Sequence, residues 1–186
     1  EIPKRDWSSD VCSSDLPDDA RPTYDSARFD AAIGATVVTG LSFADADGDG
    51  RILVERAEFY GVDLEAIDRA GEGVGAIDAP FETVLQKVRL FGLSLDSTDE
   101  TDARIGAIEI DQFRVRQGGF SGGDDPSKGA AHFFNAFDLG GLYFKDMRVA
   151  GAGDEMGGAL SFPAPELRFV GLGGGKLGAM IANDLE

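Results

Sequence analysis

One pattern of apolar and polar positions recurs six times along the chain. It reads apolar-x-apolar-x-Gly-apolar-x-apolar, and alternation with a period of two is typical of half-buried β-strands. The copies are TVVTGLSF (36–43), AEFYGVDL (57–64), VRLFGLSL (88–95), IEIDQFRV (108–115), FDLGGLYF (137–144) and LRFVGLGG (167–174). The fifth place is held by Gly40, Gly61, Gly92, Gln112, Gly141 and Gly171. Each copy is predicted to form a strand.

The fifth place is predicted to be a β-bulge. In an uninterrupted strand, the first two apolar positions of the pattern face one side and the last two face the other. One extra residue absorbed as a bulge returns all four to one face, and glycine tolerates the positive φ of a bulge. Each strand is then expected to have one apolar face, with the candidate residues Leu41, Phe43, Val62, Leu64, Leu93, Leu95, Phe113, Val115, Leu142 and Phe144.

Acidic or glycine-rich links between the copies predict hairpins. The links are ADADGDGR (44–51) and DSTDETDAR (96–104), and hairpins are also predicted within 27–38 and 171–178. Two segments break the strand pattern. Short helices are predicted over about 79–87, after Pro80, and over about 126–136, where Asp125 is a candidate N-cap. The predicted fold is mainly β, an antiparallel meander of bulged strands in a long twisted, curved sheet.

Residues 5–16, RDWSSDVCSSDL, contain the only tryptophan and the only cysteine of the chain. This stretch resembles the translation of a common short-read sequencing adapter, which in one frame encodes Asp-Trp-Ser-Ser-Asp-Val-Cys-Ser-Ser-Asp. Foreign segments are set aside before the fold is considered. We therefore expect residues 1–16 to be a disordered, non-native tail. Residues 17–186 are expected to form a single repetitive β-domain, a fragment truncated at both ends.

Composition excludes several classes of function. The chain has 34 acidic and 17 basic residues and a net charge of −17, which opposes binding to nucleic acid phosphates. No apolar run is long enough for a transmembrane segment. Residues 17–186 contain no cysteine, which excludes disulfides, thiolate metal sites and a cysteine nucleophile there.

The strands VTGLSF and GRILVERAEFYGVDL, with their counterparts VRLFGLSL and ARIGAIEIDQFRV, resemble the repeating strands of AsmA-like, translocation-assembly-type proteins of the bacterial envelope. The resemblance implies a long curved sheet in the periplasm or cell envelope. Its apolar concave face would contact lipid or another envelope protein. No catalytic residues carry over, and the acidity and the two predicted helices depart from the family pattern. We therefore expect a non-enzymatic scaffold or apolar-ligand domain.

The segment DADGDG (45–50) supports an alternative function, a calcium-binding module. Asp45, Asp47 and Asp49 match the first three ligand positions of an EF-hand loop. Arg56 stands where that loop needs a bidentate glutamate, and the flanking segments are predicted strands. An acidic hairpin turn and a partial calcium site at a hairpin tip both fit these residues, so calcium is the one candidate cofactor.

An enzyme of unknown class is the second alternative. His132 is the only histidine, and a general base needs a positioned nucleophile and an orienting carboxylate, neither of which the sequence identifies. The acidic residues of 96–102 are expected to lie at a solvent-exposed hairpin tip rather than to act as paired catalytic carboxylates. The stretch GLGGGK (171–176) lacks the spacing of a phosphate-binding loop.

Overall fold

The computed structural model describes residues 22–44, 50–71, 79–97, 102–117, 135–151, 160–174 and 176–183. They form one antiparallel sheet in which each strand pairs with the next along the chain. The strands are β1 (Ser26–Asp30), β2 (Ala35–Ala44), β3 (Gly50–Val62), β4 (Phe81–Ser97), β5 (Asp102–Arg116), β6 (Phe137–Gly151), β7 (Leu160–Gly173) and β8 (Lys176–Asn183). This confirms the mainly β antiparallel meander. The sheet is not closed, and β1 and β8 are its edges.

The predicted hairpins are present as paired strands. Asp30 pairs with Ala35 across the first turn, and Gly173 pairs with Lys176 across the last. Ala44 pairs with Arg51, and Asp96 pairs with Asp102. The tips of these two middle hairpins, 45–49 and 98–101, lie outside the described residues.

The strand pairing is interrupted along two lines that cross the sheet. At each interruption the register skips one residue on both partner strands, as where Thr39 pairs with Arg56 and Leu41 with Val54. The first break line contains Gly40, Glu55, Gly92, Gly106, Asp146 and Pro165. The second break line contains Gly61, Gln86, Gln112, Gly140, Gly171 and Gly178.

Backbone conformation explains the break lines. Gly40, Gly61, Gly92 and Gly171 have φ between +57° and +65°, and Gln112 has φ of +52°. The positive φ expected of a glycine at the fifth place is therefore confirmed at these four glycines, and Gln112, the one fifth place without glycine, adopts it as well. The extra residue predicted on one strand is wrong there, because each break takes one residue from both strands. A true register shift occurs between Thr83 and Leu85 of β4.

The repeat is out of phase on β6. Gly141 pairs normally with Asp111 and Val170, and its neighbour Gly140 takes the place in the second break line. Instead, β6 has its positive φ at Asp146, in the first break line, with φ of +53°. The bulge predicted at Gly141 is therefore wrong by one residue.

The predicted helix at about 79–87 is wrong, because β4 begins at Phe81 and pairs with β3 and β5. The residues that follow Pro80 also suit a helical turn, but here their apolar side chains serve one face of a strand. Of the helix predicted at 126–136, residues 126–134 lie outside the described part of the chain, and Asn135 and Ala136 are helical.

An unpredicted helix, α1 (Leu64–Gly71), follows β3 directly. The Asp63 side chain accepts a hydrogen bond of 3.0 Å from the backbone N–H of Ala66, which is an N-cap. Ala66 and Ala70 of the helix are buried against Val84 and Val115, and this small cluster is a fully buried core.

Candidate binding face

Apolar residues of successive strands lie opposite one another in four register rows. Row one contains Leu41, Val54, Leu93, Ile105 and Met147. Row two contains Val38, Ala57, Leu90, Ile108, Phe144 and Leu167. Row three contains Phe59, Val88, Ile110, Leu142, Phe169 and Met180. Row four contains Val62, Leu85, Phe113, Leu139, Leu172 and Leu177. None of these residues is charged.

The break lines keep the four rows on one side of the sheet. The first break line separates rows one and two, and the second separates rows three and four. A residue in an α-type conformation reverses the alternation of side chains, so apolar residues three apart point the same way. On β3, Val54 and Ala57 are both buried, whereas Glu55 and Arg56 between them are exposed. We call the surface formed by the four rows the apolar face.

Nine of the ten residues predicted for this face lie in sheet strands. Leu41 and Leu93 are in row one, Phe144 is in row two, Leu142 is in row three, and Val62 and Phe113 are in row four. Phe43 and Leu95 both pair with Ile52, next to row one. Val115 follows Phe113 on β5 and is buried under α1. The expectation for Leu64 as a strand residue is wrong, because it is the first residue of α1.

The apolar face is only partly covered. Leu41, Val62, Leu93, Phe113 and Leu142 are all half-buried, and the nearby Phe43 and Ile52 are 38% and 39% exposed. Among the described elements, the main contacts join consecutive strands, and α1 contacts β4. The helix packs at one end of row four, against Leu85 and Phe113. The described part of the sheet is therefore a single layer with one capped end.

Aromatic rings pack along the face rather than through a second layer. Phe144 and Phe169 meet edge to face, with ring centres 6.1 Å apart. Phe113 and Phe137 have ring centres 6.3 Å apart at a tilt of 47°. Both distances lie within the range of favourable aromatic pairs. These contacts join β5 to β6 and β6 to β7, so aromatic side chains of neighbouring strands pack against one another on the apolar face.

The opposite side of the sheet is held together by charged and phenolic side chains. On β4 and β5, the Lys87 ammonium lies 2.8 Å from Glu109 and 3.1 Å from Asp111, and Arg89 Nε donates to Glu109 at 2.7 Å. We call Arg56, Glu58, Tyr60, Lys87, Arg89, Glu109 and Asp111 the polar ladder. Its β3 members are linked by Arg56–Glu58 at 2.7 Å and by Tyr60 Oη donating to Glu58 at 2.6 Å.

The pKa shifts in the polar ladder strengthen its ion pairs. Burial, the largest single influence, raises the pKa of Glu109, but the hydrogen bonds from Lys87 and Arg89 outweigh it and the pKa is lowered. The hydrogen bond to Glu109 raises the pKa of Lys87. The pKa of Tyr60 is raised, chiefly because its hydroxyl donates to the Glu58 carboxylate. At neutral pH the ladder therefore consists of mutually neutralised charges.

The predicted metal ligands Asp45, Asp47 and Asp49 lie outside the described residues, as does His132. Within the described ranges, no group of three or more His, Cys, Asp or Glu side chains is placed to hold a metal ion. The same part of the chain contains no helix with the length and apolarity that crossing a membrane requires.

The row residues that the sequence pattern does not predict lie outside the six aligned copies, and they are Val54, Leu85, Ile105, Met147, Leu177 and Met180. Val54 was missed because it lies outside the aligned copies, although antiparallel pairing of the first two copies about their hairpin would have placed it opposite Leu41. Leu85 lies beyond the second break line, which the sequence does not reveal because Gln86 and Gln112 occupy it on β4 and β5. Comparison with known proteins found no matching family model, no matching curated protein and no matching solved structure.

Proposed function

We propose that this chain is a non-enzymatic binding domain that holds the acyl chain of a lipid against its apolar face. The observation that supports this proposal most strongly is the continuity of the four uncharged rows from β3 to β6, in which most side chains are half-buried and Val54, Ala57, Val88, Ile108 and Leu139 are buried. Contiguous apolar surface in a protein marks a site for another apolar body, because its exposure to water is unfavourable.

The contrast between the two sides of the sheet supports an apolar ligand. The polar ladder neutralises its own charges, with Lys87 and Arg89 both bound to Glu109. The pKa values of Lys87 and Glu109 are shifted away from neutrality, which favours structural ion pairs over proton transfer at neutral pH. What remains for a partner on this part of the sheet is a surface of aliphatic and aromatic carbon.

The length of a row across the strands also favours an acyl chain. Antiparallel strands lie about 4.8 Å apart, so a row that crosses β3 to β6 offers a track of roughly 14 Å. An extended saturated chain of about a dozen carbons has a similar length. Location in the periplasm or cell envelope belongs to this proposal, since it rests on the resemblance of the strands to envelope proteins. The calcium alternative remains a prediction from residues 45–50.

The test is binding of a fluorescent fatty acid by the purified chain, with Leu93→Asp compared with Ser94→Asp. These neighbours on β4 point to opposite sides of the sheet, so the two variants add the same charge to the two faces. We expect Leu93→Asp to weaken binding at least tenfold, because a carboxylate beside the ligand must be desolvated, and Ser94→Asp to leave it nearly unchanged.

Circular dichroism establishes whether both variants retain the sheet. If Leu93→Asp unfolds the protein, Leu93→Asn is measured in its place. Equal affinity of the two aspartate variants, or no binding by the parent chain, contradicts the proposal. Mass spectrometry of lipid co-purifying with the parent and with Leu93→Asp gives an independent readout.

A further inference from the structure

The middle of the apolar face is aliphatic, and its two sides are aromatic. In rows one to three, β4 and β5 contribute only aliphatic residues, which we call the aliphatic strip: Leu93, Leu90, Val88, Ile105, Ile108 and Ile110. In the same rows, β3 contributes Phe59, and β6 contributes Phe144, whose ring meets that of Phe169 on β7 edge to face.

The aliphatic strip lies lower than the rings on either side of it. Phe59 is directly opposite Val88, and Phe144 is directly opposite Ile108. Val88 and Ile108 are buried, whereas both rings are half-buried. Side chains of a strand stand roughly perpendicular to the sheet, and a phenylalanine ring extends further from the backbone than valine or isoleucine does. The strip is therefore a shallow trough that follows β4 and β5.

Helix α1 closes one end of this trough. Its buried alanines pack on the ends of β4 and β5 just beyond row four. Ile67 packs beside them with Leu85 and Phe113, which are the row-four residues of these two strands. Ile67 is half-buried, so part of its side chain remains available to another apolar group. The surface on which α1 packs is thus continuous with the aliphatic strip.

The other end of the strip leads to charged residues. Beyond row one, Leu95 pairs with Ala103, and both are half-buried. The next pair along the same strands is Asp96 with Asp102, which marks the end of the uncharged surface. A polar head group is stable only where it stays hydrated or is hydrogen-bonded, so this end suits a head group and the α1 end suits a hydrocarbon terminus.

The strip is longer than a row. A row that crosses β3 to β6 spans roughly 14 Å, so a chain of more than about a dozen carbons must continue along the strands. From Leu95 to Val88, β4 advances by seven residues, which is at most roughly 23 Å, the extended length of about 18 carbons. The rings of Phe59 and Phe144 leave β4 and β5 as the direction of continuation.

We propose that the acyl chain lies along the aliphatic strip and ends against Ile67, so that α1 determines the longest chain that the apolar face accepts. This inference rests on the proposed function and adds a direction and a length limit to it. The head group lies at the Leu95 end, and the terminal methyl group contacts Ile67. A longer chain has to displace Ile67 or leave carbon atoms in water.

The test is displacement of a fluorescent fatty acid from the full chain by saturated fatty acids of increasing length, each below its micelle-forming concentration. We expect affinity to rise roughly fourfold per added CH₂ up to about 18 carbons and to stay level beyond that length. The ratio of the affinities for the 20-carbon and 18-carbon acids is therefore close to one in the parent chain.

Two substitutions at one position should move the limit in opposite directions. Ile67→Ala vacates space at the closed end, so the same ratio should rise roughly tenfold, as burial of two more CH₂ groups implies. Ile67→Phe fills this space, so the level part of the curve should begin at shorter chains. A side chain that only stabilised the fold would instead change the affinity for every chain length by the same factor.

Ile33→Ala is the matched control. It makes the same substitution at an exposed residue in the turn between β1 and β2, and it should leave the length profile unchanged. Circular dichroism checks that each variant is folded, and Ile67→Val replaces Ile67→Ala if the latter loses α1.

Cross-linking tests the direction of the chain. A fatty acid with a diazirine at its terminal carbon should label α1 at residues 64–71, and one with the diazirine beside its carboxylate should label the strand ends near Leu95 and Ala103. Mass spectrometry of the digested protein identifies the labelled peptides.

Three outcomes overturn this inference while the chain still binds fatty acids: affinity that keeps rising with length, an Ile67→Ala profile equal to that of the parent, and terminal labelling at Leu95 instead of α1. The proposed function survives each of them. Absence of fatty acid binding by the parent chain contradicts the proposed function and this inference together, so the two failures are distinguishable.

Discussion

Most residues with positive φ lie in the break lines, and they differ in how easily they adopt that backbone conformation. Gly92 adopts φ of +62° without strain, and the Glu55 side chain lies over the place where a Cβ would be. Gln112 has a Cβ and still adopts φ of +52°. A side chain in the left-handed region costs about 1–2 kcal/mol, so the same backbone geometry is relaxed at one position and strained at the other.

Gly92→Ala is expected to lower the free energy of unfolding by about 1–2 kcal/mol, with a further loss from displacement of Glu55. Urea unfolding separates the backbone strain from the cost of displacing Glu55. The double variant Glu55→Ala with Gly92→Ala removes the collision and leaves only the strain. Gly71→Ala is the control, since Gly71 ends α1 without positive φ and an added Cβ meets nothing within 4 Å. A Gly92→Ala variant as stable as Gly71→Ala would contradict the assigned backbone conformation.

Gln112→Gly is expected to stabilise the chain by about 0.5–1 kcal/mol. The gain is the relief of left-handed strain, reduced by the greater backbone entropy of glycine in the unfolded state. Its matched control is Gln86→Gly, because Gln86 lies opposite Gln112 in the same break line and has no positive φ. Gln86→Gly should destabilise the protein, and equal effects of the two substitutions would show that Gln112 is not strained.

At the scale of the elements, α1 depends on a short local signal. The Asp63 side chain caps the helix at Ala66, and the backbone N–H of Asp63 donates to Val84 of β4 at 3.0 Å. Removing a cap costs about 0.5–2 kcal/mol. Asp63→Ala should therefore reduce stability by that amount and speed hydrogen exchange in α1. Asp68→Ala, on the exposed side of the same helix, should change neither, and equal losses would show that the cap is unimportant.

The β4–β5 pair should contribute a pH dependence through Glu109. Its folded-state pKa is lowered below the usual value, so its ion pairs stabilise the fold at pH values above the unfolded pKa of about 4.3 and are lost as pH falls through the folded pKa. Glu109→Gln should flatten this part of the stability curve in urea unfolding between about pH 6 and pH 3. An unchanged slope would indicate that Lys87 and Arg89 do not act through Glu109.

The sequence predicts the strands well because alternation acts over only a few residues. Val38, Leu41 and Phe43 identify β2 and its apolar face without any knowledge of its neighbours. The failures involve relations between strands. The repeat predicts the break at Gly141, its fifth place, and the adjacent Gly140 looks no different in sequence; the break line that includes Gly140 is visible only when β5 and β7 lie beside β6.

Helices were misjudged for a related reason. The segment after Pro80 has residues that suit a helical turn, but pairing on both sides with β3 and β5 makes it a strand. Asp63 did provide a capping signal for α1. The repeat masks this signal, because Leu64 completes the apolar pattern of the copy 57–64. The candidate apolar face was therefore predictable at positions inside the six copies, including Val62 and Phe113 beyond the second break line, but not at Leu85, which only the pairing of β4 with β3 and β5 places in row four.

At the scale of the whole molecule, the described sheet has the connectivity of a one-dimensional array. Each strand contacts mainly the strands before and after it, and contacts are densest for β4, β5 and β6. In such arrays, stability is the sum of local terms and nearest-neighbour terms, so the ends open before the middle. A protein with one central core would instead lose all of its strands together.

Hydrogen exchange should therefore show a gradient, with amides of β4–β6 most protected and those of β1 and β8 least. Truncation after Gly174 removes β8 but leaves the contacts among β1–β7, so the shortened chain should keep its strand signal in circular dichroism and its slow exchange in β5. The control truncation, after Gly151, also removes β7 and exposes β6 as an edge; it should reduce protection in β6 more than in β4. Uniform exchange across the sheet, or unfolding of the chain truncated after Gly174, would show that the strands form one cooperative unit.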